Sequence, residues 1–142
     1  MDDLEELSAA ATGGFGHKFA AALAAKDAAA LRAMFGDEVD FQAMTPGRVW
    51  QARTPAEVVD EVISGTWFGP GDVIERAEAV ETGIVGDRRR LGYRRRLGYR
   101  LRLANSGGSF VVEQQAYFDL TAGRITWMRV LCSGFRPLAA QP

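Results

Sequence analysis

Apolar positions recur at helical spacing near the start of the chain and alternate with polar positions in its second half. Phe15, Phe19 and Leu23 lie four residues apart, a spacing that predicts a helix over about residues 15–25. From Val73 onward apolar and polar residues alternate, as they do in strands with one buried face. The chain therefore changes from helices to sheet along its length.

Two further helices are indicated by their end signals. Asp27 is a good N-cap for a helix over residues 28–35. Thr54 and Glu57 have the spacing of a capping box, ahead of a helix that should run to Ser64 and end at the following glycine. The sequence thus predicts about three helices before the long strands.

Short turns separate the predicted strands, so neighbouring strands should pair antiparallel. One short strand is expected around residues 39–43, where Val, Phe and Ala alternate with polar residues. The long strands are expected at about residues 73–85, 88–104, 109–120 and 124–133. This order predicts an α+β fold, with the helices packed on one face of an antiparallel sheet.

A tandem hexapeptide interrupts the regular strand spacing. Residues 88–93, Arg-Arg-Arg-Leu-Gly-Tyr, are repeated at once as residues 94–99. The period is even, so both copies keep the same alternation of faces, but the resulting strand is longer than its neighbours. We interpret the repeat as a recent duplication that forms a protruding hairpin tip. Whether Tyr93 or Tyr99 lies in the regular strand stays open.

Composition and charge indicate one soluble domain with an uneven charge distribution. The chain has 142 residues, is 47% hydrophobic and carries a net charge of −1. Residues 1–87 contain 16 acidic and 6 basic side chains, whereas residues 88–142 contain 11 basic and 2 acidic ones. The arginine-rich strand is a candidate nucleic-acid surface. The flanking strands carry acids that can pair with these arginines across the sheet, so nucleic-acid binding is disfavoured: Glu75, Glu78, Glu81 and Glu113.

Several kinds of site are disfavoured by the residues present. A single cysteine, Cys132, forms no disulfide framework and no cysteine-rich zinc site, and we interpret it as a buried apolar residue. The lone His17 is expected to face solvent, because it is offset from the apolar face of its helix. We therefore expect no metal and no cofactor. The acidic start resembles no signal peptide, and no apolar run approaches the ~20 residues of a membrane span, so we expect a cytoplasmic location.

Three segments resemble the nuclear transport factor 2-like superfamily, and especially its SnoaL-like branch. Residues 19–37, two Ala-rich helices divided at Asp27, are similar to the family's opening. Residues 118–125, Phe-Asp-Leu-Thr-Ala-Gly-Arg-Ile, are similar to its final hairpin, and residues 129–137 to the ending of uncharacterised bacterial members. The resemblance covers about residues 15–135. It implies a cone-shaped curved sheet, the cystatin-like roll, with an open apolar cavity and homodimerisation through the outer sheet face.

The resemblance also assigns the faces of the last two long strands. The inward residues would be Val112, Gln114, Ala116 and Phe118, followed by Thr126, Met128, Val130 and Cys132. The outward residues would be Glu113, Gln115 and Tyr117, followed by Trp127, Arg129 and Leu131. Aromatic and Arg side chains are common at protein interfaces. We therefore expect a homodimer interface at Tyr117, Trp127 and Arg129.

The catalytic positions of related enzymes carry inert residues in this chain. Alignment with ketosteroid-isomerase-like members puts Phe19 where they use a tyrosine, Ala43 where they use an aspartate base, and Ala116 near their second acid. Members similar to limonene-epoxide hydrolase use an Asp–Arg–Asp relay, for which no two inward acids are present. Asp40 is the nearest acid, and strand alternation points it outward. The resemblance therefore carries over no reaction.

The sequence predicts a single SnoaL-like domain over residues 15–137, with residues 1–14 as a flexible or short helical lead-in and residues 138–142 as a tail. We expect it to bind a small hydrophobic molecule in an apolar cavity. Cyclase- or isomerase-type catalysis stays open, and the alternative is a non-catalytic homodimeric association module. Candidate ligand-binding residues are Phe41, Trp50, Trp67, Phe68, Tyr99, Gln114 and Met128. Candidates for polar catalytic roles are Asp40, Tyr99 and Gln114.

Overall fold

The computed structural model describes residues 14–87 and 92–138. Most of the predicted lead-in and tail, and residues 88–91 of the repeat, lie outside the described residues. The described helices are α1 (Gly16–Ala24), α2 (Ala28–Ala33) and α3 (Glu57–Trp67). The strands are β1 (Phe35–Thr45), β2 (Arg48–Ala52), β3 (Val73–Asp87), β4 (Gly92–Asn105), β5 (Gly108–Thr121), β6 (Arg124–Cys132) and β7 (Arg136–Pro137).

The strands form one curved, unclosed sheet against which the helices pack, which confirms the predicted α+β fold. Their order is β2-β1-β6-β5-β4-β3, and the short β7 pairs with β5. The hairpin neighbours pair antiparallel, as their short turns predict. The pairing of β1 with β6 is parallel, so the sheet is mixed. No local turn signal specifies this pair, because most of the chain lies between its two strands.

The caps predicted for the second and third helices are present. The carboxylate of Asp27 accepts a hydrogen bond from the backbone N–H of Ala30 at 3.0 Å. The hydroxyl of Thr54 accepts one from the N–H of Glu57 at 3.2 Å, and the Glu57 carboxylate accepts one from the N–H of Arg53 at 2.8 Å. These bonds satisfy donors that a helix start leaves without partners.

Helix α3 continues beyond Gly65, where the sequence predicts its end. It is wound as a π-helix, and the N–H of Phe68 donates to the carbonyl of Ile63, five residues earlier, at 2.8 Å. A Cβ on Gly65 would collide with the backbone carbonyl of Asp60. The glycine therefore permits the wide turn instead of ending the helix, and the turn carries Trp67 into the core.

A β-bulge bends β3 beside the repeat-bearing strand. Ala79 and Val80 together lie opposite the single residue Tyr99, because the β3–β4 register shifts between Glu78 and Glu81. Ala79 has a φ of +52°, a conformation that non-glycine residues seldom adopt. Bulges increase the local twist of a sheet, so this one contributes to the curvature around Tyr99.

A second bulge corrects one predicted face assignment. The β5–β6 register shifts between Asp119 and Leu120, which leaves Thr126 without a regular partner. Ile125 is consequently buried, whereas Thr126 is half-exposed and its hydroxyl lies 3.0 Å from that of Thr121. The prediction that Thr126 points inward is wrong, because the extra residue interrupts the two-residue alternation.

The second copy of the repeat occupies the regular part of β4. Leu97 and Tyr99 are buried on the inner face, which settles the choice that the sequence leaves open. The pairing of β4 with β5 begins at Arg95, opposite Phe118. Before that point, over residues 92–94, β4 is paired with β3 alone as a two-stranded ribbon. The protruding tip expected from the duplication falls on residues 88–91, which lie outside the described residues.

The core lies between the helices and the inner face of the sheet. Phe19, Leu23 and Leu31 come from the first two helices, and Val58 and Ile63 come from α3. The predicted inward residues of β5 are buried, and Met128 and Val130 are buried on β6. Among the described residues no helix is long and apolar enough to span a membrane.

Candidate functional site

A short hydrogen-bonded chain crosses the inner face of the sheet. The hydroxyl of Tyr99 donates to the amide oxygen of Gln114, and the Gln114 amide nitrogen donates to the sulfur of Cys132 at 3.3 Å. The three side chains meet because Tyr99, Gln114 and Cys132 lie in register on β4, β5 and β6. Tyr99 and Gln114 are each only 2% exposed. Buried polar groups cost free energy unless they are paired, and this pairing offsets that cost.

Burial keeps the Tyr99 hydroxyl protonated. Loss of solvent raises the pKa of Tyr99 far above its ordinary value, and the nearby Cys132 thiol raises it further. The hydroxyl is therefore a neutral hydrogen-bond donor and acceptor at physiological pH. It is suited to orient a ligand, not to act as a general base.

The indole of Trp67 presents a second polar atom to the core. Its ring packs against Phe41 and Trp50, with centroid separations of 6.3 Å and 6.1 Å. The indole N–H is buried and has no acceptor among the residues that the structure describes. A buried donor without an acceptor costs about 1–3 kcal/mol. A ligand oxygen that accepted a hydrogen bond from this N–H would remove that cost.

The other tryptophan of this pair is held at the rim of the inner face. Trp50 donates its indole N–H to the hydroxyl of Thr45 at 2.8 Å. The guanidinium carbon of Arg48 lies 3.5 Å from the centre of the Trp50 ring, a cation–π contact. Thr45 and Cys132 both line a surface cleft of about 420 Å³ at this rim. The hydrogen-bonded chain of Tyr99, Gln114 and Cys132 thus ends at an accessible cleft.

The deeper interior is closed by side chains. Phe41, Phe68 and Met128, three of the predicted ligand-binding residues, are at most 2% exposed. A cavity that could admit water would leave accessible surface on its walls, and these side chains have almost none. The expected open apolar cavity is therefore not seen beside these residues. Phe68 stacks on Phe135, with ring centres 6.0 Å apart, at the C-terminal end of α3.

Asp40 lies on the opposite face of the sheet from Tyr99 and Gln114. Its side chain is exposed, and its carboxylate accepts a hydrogen bond from Arg129 at 3.1 Å. Gln114 is the buried polar side chain of the described core, which contains no carboxylate and no imidazole. His17 is exposed, as expected. Proton transfer by a buried carboxylate or histidine therefore has no candidate residue in the described core.

The predicted interface residues all lie on the outer face. Tyr117, Trp127 and Arg129 are half-buried there. Guanidinium carbons of Arg94 and Arg129 lie 3.4 Å and 4.5 Å from the centre of the Trp127 ring, so the chain covers part of this aromatic surface itself. A cleft of about 440 Å³ opens beside Tyr117 and Arg129. Large apolar side chains are exposed around it: Met44 (54%), Val49 (58%) and Leu131 (54%).

Acids of neighbouring strands pair with the outer arginines. Arg102 contacts Glu78 at 2.7 Å, and Arg100 lies 3.7 Å from Glu113. The hydrogen bond from Arg102 makes the largest contribution to lowering the pKa of Glu78, and the hydrogen bond from Arg76 lowers it further. These contacts are the cross-strand neutralisation that the sequence predicts for Glu78 and Glu113.

Metal-binding groups are not assembled in the described part of the chain. No cluster of three His, Cys, Asp or Glu residues that could hold an ion occurs within it. Two residues of the site, Thr45 and Arg48, were not among the candidates predicted from the sequence. The turn between β1 and β2 brings both to Trp50, so their spacing around a two-residue turn was the available signal.

Known protein structures share this architecture at low sequence identity. A provisionally assigned isomerase from Bacillus subtilis is 13% identical, with a TM-score of 0.66 and 82% of each chain covered. An LEH-like epoxide hydrolase from M. tuberculosis is 17% identical, with a TM-score of 0.57, covering 82% of this chain and 78% of its own. An NTF2-like protein of unknown function from Cytophaga hutchinsonii is 14% identical, with a TM-score of 0.50, covering 82% of this chain and 94% of its own.

No family model matches the chain, and no curated protein matches it. The structural likeness shows that the chain has the NTF2-like fold predicted from its opening and its final hairpin. At these identities it shows the fold alone.

Proposed function

We propose that this NTF2-like chain binds a small, largely apolar molecule that carries one hydrogen-bond-accepting oxygen. The ligand would enter at the rim cleft beside Thr45 and Cys132 and would accept a hydrogen bond from Trp67. The observation that carries the proposal is the buried Trp67 N–H without an acceptor among the described residues. The rim cleft, about 420 Å³, has the volume of a small-molecule site.

Tyr99 and Gln114 would orient the ligand in this proposal. Their hydrogen bonds to each other and to Cys132 leave a hydroxyl lone pair and one amide N–H for a guest. Entry requires the side chains at the rim to move. Trp50 would be the one that moves, because it is half-exposed and only its edge-on contact with Trp67 joins it to the core, whereas a hydroxyl and a cation–π contact hold its outer side. The proposed activity is ligand binding, without proton transfer by a carboxylate. The proposal also places the protein in the cytoplasm, as expected from its sequence.

Two matched probes test the proposal. 1-Tetralone has an apolar body with one carbonyl oxygen, and tetralin has the same body without it. Isothermal titration calorimetry of the wild-type protein should show binding of 1-tetralone. Trp67→Phe should weaken 1-tetralone binding about tenfold, the effect of one hydrogen bond to a buried donor. It should leave tetralin binding within about twofold.

Trp127→Phe is the matched control, because it makes the same change on the outer face. It should leave both affinities unchanged. Failure of 1-tetralone to bind the wild-type protein, or equal affinities in the wild-type protein and Trp67→Phe, would contradict the proposal.

A second candidate function is homodimeric association through the outer face. It is favoured by the three exposed apolar side chains Met44, Val49 and Leu131 around one cleft. Sedimentation velocity should then show a dimer for the wild-type protein and a monomer for Leu131→Asp. Val73→Asp is the matched control, because Val73 is 63% exposed away from that cleft, and it should remain dimeric. A monomeric wild-type protein would remove this candidate.

A further inference from the structure

A second, basic cleft lies on the outer face at the end of the sheet near β7. Its volume is about 310 Å³, and three arginines line it: Arg100, Arg102 and Arg136. Val111 is part of the same lining, and Glu113 is its acidic residue. The cleft is separated by the sheet from Tyr99 and Gln114, so it is independent of the proposed interior site.

The strand register places two of these arginines on either side of one small residue. Arg102 of β4 lies opposite Val111, and Arg136 of β7 lies opposite the same Val111 from the other side. Neighbouring strands are about 4.8 Å apart, so the two backbones stand roughly 10 Å from each other with only a valine between them. Two guanidinium groups on such long side chains can close on a ligand of phosphate size above Val111.

The acidic side chains near the cleft neutralise only part of its positive charge. Glu78 engages the Nε of Arg102 at 2.7 Å, which leaves the terminal amino groups of that guanidinium for another acceptor. The contact of Arg100 with Glu113 is loose, at 3.7 Å, and both side chains are about half-exposed. Arg136 is exposed and forms no ion pair with any residue in the described ranges.

We propose that this cleft is a binding site for the phosphate or pyrophosphate group of a small molecule. Guanidinium groups bind such oxyanions through paired N–H donors, and Arg102 and Arg136 supply them from opposite walls. Arg100 adds a third positive charge, and the volume leaves room for a phosphate group with a short organic remainder. The cleft has the size of one phosphate-bearing group, whereas nucleic acid binds along a groove that follows several successive phosphates.

Inorganic pyrophosphate tests the site in calorimetric titrations of the full-length protein. Arg136→Gln should lower the pyrophosphate affinity by at least about tenfold, the loss of one charge-assisted contact. Glu113→Gln should raise the affinity about threefold, because it removes the carboxylate that competes within the cleft. Arg100→Gln is a second loss-of-affinity variant, and the melting temperature of each variant verifies that it is folded.

Arg124→Gln is the matched control for net charge. Arg124 is exposed at the distant β5–β6 turn, so its removal should change the affinity by less than about twofold. Equal losses in Arg124→Gln and Arg136→Gln would show general charge attraction and overturn the proposal. Tighter binding of a 20-nucleotide single-stranded DNA than of pyrophosphate, with a steep salt dependence, would instead show a nucleic-acid surface and would also overturn it.

Discussion

The guanidinium carbon of Arg94 lies 3.4 Å from the centre of the Trp127 indole ring on the outer face of the sheet. Arg94 is the first residue of the second repeat copy, and it also lies 3.4 Å from the carboxylate of Asp119. The arginine-rich strand therefore uses one of its cations to cover an aromatic ring of its own chain. Such a contact contributes about 0.5–1 kcal/mol at a partly exposed site.

Removal of this cover should be visible in tryptophan fluorescence. Arg94→Ala should shift the emission to longer wavelength, because it exposes Trp127 to water. It should also lower the free energy of unfolding by about 1 kcal/mol. In a Trp127→Phe background the emission shift should vanish, which isolates the pair. An identical shift in both backgrounds would mean that Arg94 acts on another tryptophan.

Deletion of one repeat copy should leave a folded protein. Val85 lies opposite Arg94 in the β3–β4 register. Removing residues 88–93 would leave Gly86 and Asp87 as a two-residue loop between these partners, and glycine at the first loop position suits a tight hairpin turn. Because the copies are identical, removal of residues 94–99 yields the same protein.

The melting temperature of the deletion variant should therefore lie within a few degrees of the wild-type value, on the order of a change of 1 kcal/mol or less. Circular dichroism should show the same helix and sheet content per residue. Loss of the cooperative transition, or insolubility of the variant, would show that the ribbon is needed for folding.

Tyr99→Phe should destabilise the protein and change its response to alkaline pH. The substitution leaves the buried Gln114 amide oxygen without its donor, which costs about 1–3 kcal/mol. Tyr117→Phe, the same change on the outer face, should cost less than about 0.5 kcal/mol. Urea unfolding at neutral pH measures both values, and equal costs would argue against the buried pair.

The pH effect follows from the raised pKa of Tyr99, whose ordinary value is 10.0. Above that pH the unfolded chain loses the phenolic proton, whereas the folded chain keeps it. The contribution of Tyr99 to stability is therefore complete below pH 10 and declines as the pH rises above it. The free energy of unfolding should fall more steeply above pH 10 in the wild-type protein than in Tyr99→Phe. Parallel curves would contradict the raised pKa.

Gly65→Ala should be more harmful than glycine substitution elsewhere. The added methyl group would meet the Asp60 carbonyl inside α3, which forces the π-turn to rearrange and displaces Trp67. We expect a loss of about 2 kcal/mol or more in urea unfolding. Gly71→Ala is the matched control, because no atom lies within 4 Å of its added Cβ, and its stability should be nearly unchanged.

The sequence predicts the sheet faces well where a strand is regular. In β5 the resemblance implies that Val112, Gln114 and Phe118 point inward, and all three are buried, because an uninterrupted strand keeps a period of two. The same rule fails at Thr126, since a bulge adds one residue and nothing in the local sequence marks it. Local sequence signals likewise do not predict that β1 pairs in parallel with β6.

The sequence predicts which residues form the candidate site, but not how these residues contact one another. Tyr99 and Gln114 were candidates from their strand face, yet their contact depends on the β4–β5 register, which the repeat left open. The buried Trp67 N–H follows from the π-winding of α3, and a helix that ended at Gly65 would place this indole differently. The closed interior depends on packing between distant segments, which no spacing rule describes.

The parallel pairing of β1 with β6 constrains the order in which the protein can assemble. β1 ends at residue 45 and β6 begins at residue 124, so this pair of strands forms only after β6 has left the ribosome. Until then the first hairpin has an unpaired edge and an uncovered apolar side. Such non-local topology favours slow folding and exposure to chaperones, and a truncation before residue 124 would leave no stable intermediate-sized domain.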